Sequence, residues 1–373
     1  MSAVQFRAAD GGGAGWAEAA KSCADALLPV PEGTSLGFLY VTDVLAGDLG
    51  SILTFLRERT RIPHWVGAVG LGVCGRREHF ETPALSALVA SFPDDAFRVF
   101  GPAPSAHGTV GEVERAWIAL KHPGVAVVHG DPRDAGIVTA VSSLSAEGGL
   151  YLVGGLSAAM SAPPRNIADR VVEGGLTGVL LGPEIGVATG LTQGCSPIGP
   201  VRRVTEARDN IVMMVDNRPA LEVFKEDIGE LLARDLRQVG GRIFAGIPVR
   251  GSDTGDYLVR NLIALDVERQ WLAIAEKVTP GDPILFCRRD PASALADLKR
   301  MLGGLQRRIT APPKAGLYFS CLARGPNLFA GENEEVEAIR AALGDFPLAG
   351  FFGSGEIAHD RLYGYTGVLA LFL

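Results

Sequence analysis

The sequence predicts an α/β protein with mixed β-sheets covered by helices, built from about four duplicated strand–helix–strand–strand units in two domains. Three observations predict it. Short apolar runs of strand length alternate with stretches of helical spacing. The second run of each unit ends in glycine. The same order of elements then returns along the chain. A helix between two strands makes a parallel crossover, and a hairpin after it adds antiparallel strands, so the sheets are mixed.

The elements follow in order. Residues 14–28 read as an amphipathic helix ending at Pro29. GFLYVTD (37–43) is a buried strand. DLGSILTFLRERT (48–60) sets Leu49, Ile52, Leu53 and Leu56 on one helical face, with Asp48 as N-cap. WVGAVGLGVCG (65–75) is a strand entering glycines, and PALSALVASF (83–92) is a further apolar run. The order returns as VAVVHGD (125–131), a helix within 132–147, LYLVGGLSA (150–158) and LTGVLLG (176–182). It returns again as GLYFSCLA (316–323), the helix ENEEVEAIRAALG (332–344), LAGFFGSG (348–355) and TGVLALFL (366–373). Acidic residues open that last helix, and Gly344 is its C′ residue. A weaker copy spans 211–266: IVMMVD, a helix from Pro219 through PALEVFKEDIGELLARDL, RIFAGIPV and YLVRNLIALD. WLAIAEKV and PILFCRRDPASALADLKRML add two strands and a helix, and TAPPKAG (310–316) is a linker.

Composition excludes several function classes. The chain has 373 residues, 47% of them hydrophobic, and a net charge of −7. Its mean hydropathy is +0.21. A nucleic-acid partner would call for a basic face, and only the pairs Arg202/Arg203, Arg288/Arg289 and Arg307/Arg308 are locally basic. The five cysteines are scattered without C-x-x-C. His64, His79, His107, His122 and His129 show no helical metal spacing, so no metal is expected. No leader pattern or uninterrupted apolar span of membrane length occurs. The reading is a reduced, cytoplasmic protein with no membrane and no nucleic acid.

Two glycine loops invite a dinucleotide. Gly353-Ser354-Gly355-Glu356-Ile357-Ala358 fits G-x-G-x-x-A, and Gly70 to Gly75 fits G-x-G-x-x-G. The fingerprint needs a helix opening on the third small residue. HDRLYGYTGVLALFL and RREHFETPAL follow instead, a turn with a strand and a charged stretch with Pro83. No cofactor is therefore expected. Glycine at a strand end has two other uses. It permits close backbone approach, or it leaves bare N–H groups that receive a small anionic group.

LEVFKEDIG (221–229), YLVRNLIALD (257–266), LYFSCLARG (317–325) and LAGFFGSGEIA (348–358) resemble the C-terminal half of the FIST family. VGAVGLGVCG and LVGGLSA resemble the glycine-rich strand ends of its N-terminal half, and 191–224 resembles the segment joining the halves. The resemblance implies a lead-in over 1–31, a FIST N-terminal-like domain over 32–219 and a FIST C-terminal-like domain over 220–373. It implies a sensory module of signal transduction that binds a small ligand such as an amino acid. Two loops depart from the family pattern: AVGLGVCGRRE displaces a glutamate, and Ser157-Ala158-Ala159 stands where acidic residues are usual. This directs attention to the loop at 350–356.

An amino acid needs donors for its carboxylate and an acid for its ammonium. Arg260, Arg324 and Glu356 supply both charges, and each is equally a candidate for a structural ion pair or a loop-fixing bond. With them Asn261, Ser320, Cys321, Gly353, Ser354 and Gly355 complete the candidate ligand site. The expected function is non-enzymatic small-molecule sensing, with a signalling partner or a second copy receiving the signal. Two alternatives stand beside it. One is a cysteine-dependent hydrolase or transferase acting on a small amide, with Cys321 and His359 as its pair, and Cys195 and His129 as further candidates. The other is a protein-interaction scaffold.

Overall fold

The computed structural model describes residues 4–102, 110–160, 162–249 and 255–373; His107 lies outside them. The chain forms two compact units, Met1–Thr192 with Leu298–Leu373, and Gln193–Asp297. The family boundary near 219 is thus a boundary of sequence, and the units divide elsewhere.

The first unit is a threefold repeat. Each copy contains two parallel strands joined by a crossover helix. The first parallel strands are Leu36–Thr42, Val125–Gly130 and Ala315–Cys321, and the second are His64–Gly70, Tyr151–Leu156 and Leu348–Gly353. The crossover helices are Leu49–Thr60, Ile137–Gly148 and Glu334–Leu343. A closing strand pairs antiparallel with each first strand: Ala84–Ala90, Leu176–Leu181 and Thr366–Phe372. An entry strand borders each closing strand: Phe6–Gly12, Phe97–Phe100 and Val187–Gln193. The first of these lies in the stretch read as helical lead-in. FRAADGG has no β-branched residue, so its strand state comes from pairing with Ala84–Ala90.

Each copy also carries a hairpin, and the hairpins are exchanged in a cycle. Gly72–Cys74 and Glu78–Phe80, from the first copy, extend the third sheet. Asn166–Ala168 and Val171–Val172, from the second, extend the first sheet. Glu356–His359 and Arg361–Tyr363, from the third, extend the second sheet. Both glycine fingerprints therefore lead into hairpins rather than helices.

One glycine occupies the same register in every copy. Gly67, Gly154 and Gly350 pair with Leu39, Val128 and Tyr318. A Cβ on any of them would lie 1.8 Å from the carbonyl oxygen of that partner. The next position of the first strands brings Tyr40, His129 and Phe319 together, with ring centroids 5.6 to 6.2 Å apart. Phe351 stacks on Tyr40 at 5.1 Å. A ring of backbone bonds joins the strand ends: Leu71 N to Phe352 O, Ala158 N to Val69 O and Ser354 N to Leu156 O, at 3.0, 2.9 and 3.1 Å. These N–H groups are used on one another. The glycines here serve close approach, and these three amides are not open to an anion.

The second unit interrupts the third copy in sequence, running from the last residue of its entry strand into the first turns of the helix Pro291–Arg308. Its strands pair antiparallel throughout, which corrects the fourth copy expected over 211–266. Pro283–Arg289 pairs with both Arg202–Arg208 and Ile243–Pro248, so the sheet closes on itself. Closure removes the exposed edges. The expected helix from Pro219 stops at Ile228, because Gly229 takes φ +80°. Its buried Phe224 meets Phe286 edge to face at 4.9 Å.

Candidate functional site

Ala315–Cys321 alternates its side chains between two polar centres. Tyr318 and Ser320 face the crossover helix, where their hydroxyls donate to Glu335 at 2.6 and 3.1 Å. Arg324 follows the strand. Its Nε donates to Glu335 Oε1 at 2.8 Å, Nη2 lies at 2.8 Å, and Gly325 N donates to Oε2 at 3.2 Å. Arg324 is 1% exposed and Glu335 0%. A buried carboxylate with three neutral donors and a guanidinium is the arrangement in which a desolvated ion pair survives. Arg324 Nη1 has no hydrogen-bond partner among the described residues. The guanidinium sits 5.6 Å from the Phe329 ring centroid.

On the strand's other face Cys321 approaches Glu356. Glu356 Oε2 accepts from Thr366 N at 3.1 Å and Thr366 Oγ1 at 2.7 Å. Burial pushes the Glu356 carboxyl up to about 8, against the opposing pull of Thr366 and Arg324. An acid with a raised folded value binds its proton more tightly folded than unfolded. Stability should therefore fall as pH rises from about 4.5 to about 8 and level off above. Glu356→Gln keeps an acceptor for Thr366 and removes the charge. It should flatten that slope and add about 1–3 kcal/mol at pH 8.5 relative to wild type, read by urea unfolding at pH 5 and 8.5. Equal slopes in the two proteins would refute this assignment.

The predicted residues therefore separate as follows. Ser320 and Arg324 belong to the buried centre around Glu335, and Cys321 and Glu356 to the one on the strand's other face. Gly353 and Gly355 are buried beside Glu356, accepting from Leu322 N and Leu156 N at 2.8 Å each. Ser354 is exposed and donates to Ser157 O at 2.9 Å. Arg260 and Asn261 belong to the second unit, on the strand Tyr257–Asp266, where Arg260 Nε donates to Glu276 at 2.8 Å.

The thiol candidates are placed poorly for nucleophilic work. Burial pushes the Cys321 thiol far above its ordinary range, with Glu356 adding to the effect. A nucleophilic cysteine needs the reverse. The His359 side chain is 55% exposed and lies 3.1 Å from Asp360. Cys195 is buried in the second unit. His129 is 0% exposed, lies 3.3 Å from the Tyr40 hydroxyl, and is held neutral by burial, which lowers it to about 3. Among the described residues no group of three His, Cys, Asp or Glu side chains is arranged to hold a metal.

Glu335 and Glu78 escaped the sequence reading. Glu335 passed as an ordinary acid at a helix start, yet it stands four and eight residues before Ile339 and Leu343, on the buried stripe. Glu78 comes from the exchanged hairpin, where no local pattern marks it. It lines a cavity of about 430 Å³ with His79, Phe80, Thr82, Phe329 and Asn333. Burial, then the Glu335 carboxylate, raises Glu78 to about 7. Its Oε1 accepts from Val336 N at 3.4 Å, and Asn333 Oδ1 accepts from Glu78 N at 2.7 Å.

This fold defines an α/β protein of three exchanged-hairpin repeats with an inserted antiparallel unit. The chain belongs to the FIST family: residues 35–218 match the FIST N domain and residues 220–359 the FIST C domain. FIST domains are generally sensory modules of signal transduction. An uncharacterized protein of Mycobacterium tuberculosis (strain CDC 1551 / Oshkosh) is 35% identical over 221 residues, covering 56% of this chain and 57% of its own. An uncharacterized protein of Mycobacterium bovis (strain ATCC BAA-935 / AF2122/97) is 31% identical over 211 residues, covering 54% of each. The chain thus spans a little over half the length of these curated relatives. A cyanuric acid hydrolase from A. caulinodans aligns over 100% of this chain and 99% of its own, with 8% identity and a TM-score of 0.40. A likeness of that degree carries no functional argument. Among the described residues no helix is long and apolar enough to cross a membrane.

Proposed function

We propose that the chain is a non-enzymatic sensory module that binds a small amino acid in the cavity walled by Glu78 and Phe329. The signal passes by contact, to a protein partner or to a second copy. One observation carries the reading: a ligand-sized cavity places a carboxyl, polar donors and two aromatic rings together. Glu78 suits an ammonium, while His79, Thr82 and the Asn333 amide suit a carboxylate. Phe80 and Phe329 suit an aliphatic side chain. Behind Phe329 the Arg324–Glu335 pair is buried, so a ligand that shifts that ring acts on a rigid charged network.

Isothermal titration tests this with three probe classes: amino acids, the matching amines without a carboxylate, and the matching acids without an ammonium. At least one amino acid should bind more tightly than either analogue. Its affinity should rise between pH 6 and 8 as Glu78 ionises, and Glu78→Gln should weaken it about tenfold, or about 1.4 kcal/mol. Equal binding of the acid lacking an ammonium, or no binding in any class, overturns the reading.

A further inference from the structure

The hairpin strand Glu78–Phe80 is the last strand of the third sheet and pairs on one side only, with Gly72–Cys74. All three of its residues line the cavity described above. One bond fixes which way its free edge points. Glu78 N donates to Asn333 Oδ1 at 2.7 Å, so this N–H is turned away from Cys74, its cross-strand partner, and toward Asn333, which also lines the cavity. Main-chain groups of an antiparallel pair alternate in direction with period two. The N–H and C=O of Phe80 therefore point the same way as those of Glu78. Among the described residues neither Phe80 group has a hydrogen-bond partner.

Unpaired edge groups of this kind are a template for an extended chain. This edge is also held in place, since the Phe80 ring lies 4.5 Å from that of Phe352. Asn333 has spent its Oδ1 on Glu78, which leaves its Nδ2 to donate. The charges favour one end of such a chain. Glu78 and Glu332 line the cavity, and among the described residues no lysine or arginine does. An ammonium is balanced there, whereas a free carboxylate meets neither of those cations. The first residue of a peptide brings the ammonium and presents its carbonyl as a neutral amide. Thr82, Pro326, Ala330, Gly331 and Glu332 are exposed, so the rest of the chain has a way out to solvent.

We propose that the occupant of this cavity is a short peptide with an unblocked N-terminus, whose main chain pairs with the free edge of Glu78–Phe80. Glu78 takes the ammonium, the role given to it above and on which this proposal rests. The Phe80 N–H and C=O take the main chain beyond the first residue. The first side chain lies against Phe80 and Phe329. Main-chain bonds to a fixed edge give affinity, and the carboxylate and the rings select the first residue.

Isothermal titration of the whole chain tests this with tripeptide amides that begin with alanine, valine or leucine and continue with two alanines. The free amino acids and the N-acetylated peptides are the comparisons. At least one peptide amide should bind about tenfold more tightly than its free amino acid, and acetylation should weaken it about tenfold. The nitrogens of the second and third residues are then methylated one at a time. One methyl should weaken binding about tenfold and the other less than about threefold, because only alternate N–H groups of an extended chain face the strand. A free amino acid that binds as tightly as its peptide overturns this proposal and leaves the amino-acid reading standing. Two methylations of equal effect overturn the main-chain pairing. Acetylated peptides that bind like their parents, or no binding by any amino acid or peptide, overturn both.

Discussion

Arg324→Met should destabilise the protein by about 3–5 kcal/mol, the cost of stranding a buried carboxylate. Glu335 is wholly buried, and Arg324 is the cation that balances it. Tyr318, Ser320 and Gly325 would still donate to it, but three neutral donors do not replace a guanidinium. Methionine fills much of the arginine's stem volume, so packing loss is kept small. The double variant Arg324→Met/Glu335→Gln removes both charges and should recover at least half of the loss. Urea unfolding of the four proteins of this cycle measures the coupling, with unchanged m-values expected. A single-variant cost under about 1 kcal/mol would show that water reaches the pair and that it is not a buried one.

Gly67→Ala, Gly154→Ala and Gly350→Ala should each abolish folding or cost more than about 3 kcal/mol, the upper range for overpacking. The reason is the same in all three copies. The new Cβ would sit 1.8 Å from a main-chain carbonyl oxygen. A flexible side chain could turn aside, but a strand paired on both edges cannot. Gly304→Ala is the control. Nothing lies within 4 Å of its Cβ position, inside the helix Pro291–Arg308, so alanine should stabilise by about 0.5–1 kcal/mol. Soluble yield, circular dichroism and thermal unfolding read the outcome. A well-folded Gly350→Ala protein of near-native stability would mean that the parallel strands do not cross as closely as described.

Strands and helices were legible because their signals are local. GFLYVTD, VAVVHGD and GLYFSCLA are apolar runs of strand length, and each crossover helix carries its own buried stripe. Even the close approach was written in the glycines of WVGAVG, LVGG and LAGFFG, although bare amides for an anion fitted the same letters equally well. The fourth copy failed for the opposite reason. IVMMVD and RIFAGIPV have the composition of parallel strands, but composition does not say which neighbour a strand will find. Arg324 and Glu356 stood out as charges within or beside apolar runs. Glu78 and Glu335 did not, because a glutamate in a hairpin and one at a helix start are ordinary until a fold buries them.

By itself the chain determined where most strands and helices fall, the recurrence of the unit in three copies, and the glycines that end its second strands. These depend on periodicity and propensity, both carried by neighbouring residues. Only the tertiary structure decided that the hairpins are exchanged around a cycle, that the third copy is interrupted by a closed antiparallel unit, and that Glu78 from near residue 80 meets Glu335 and Arg324. Those outcomes are pairings between segments far apart in the chain, as with Gly350 and Cys74 or Glu356 and Gly155. Their energies depend on burial and electrostatics that exist only once the segments have met.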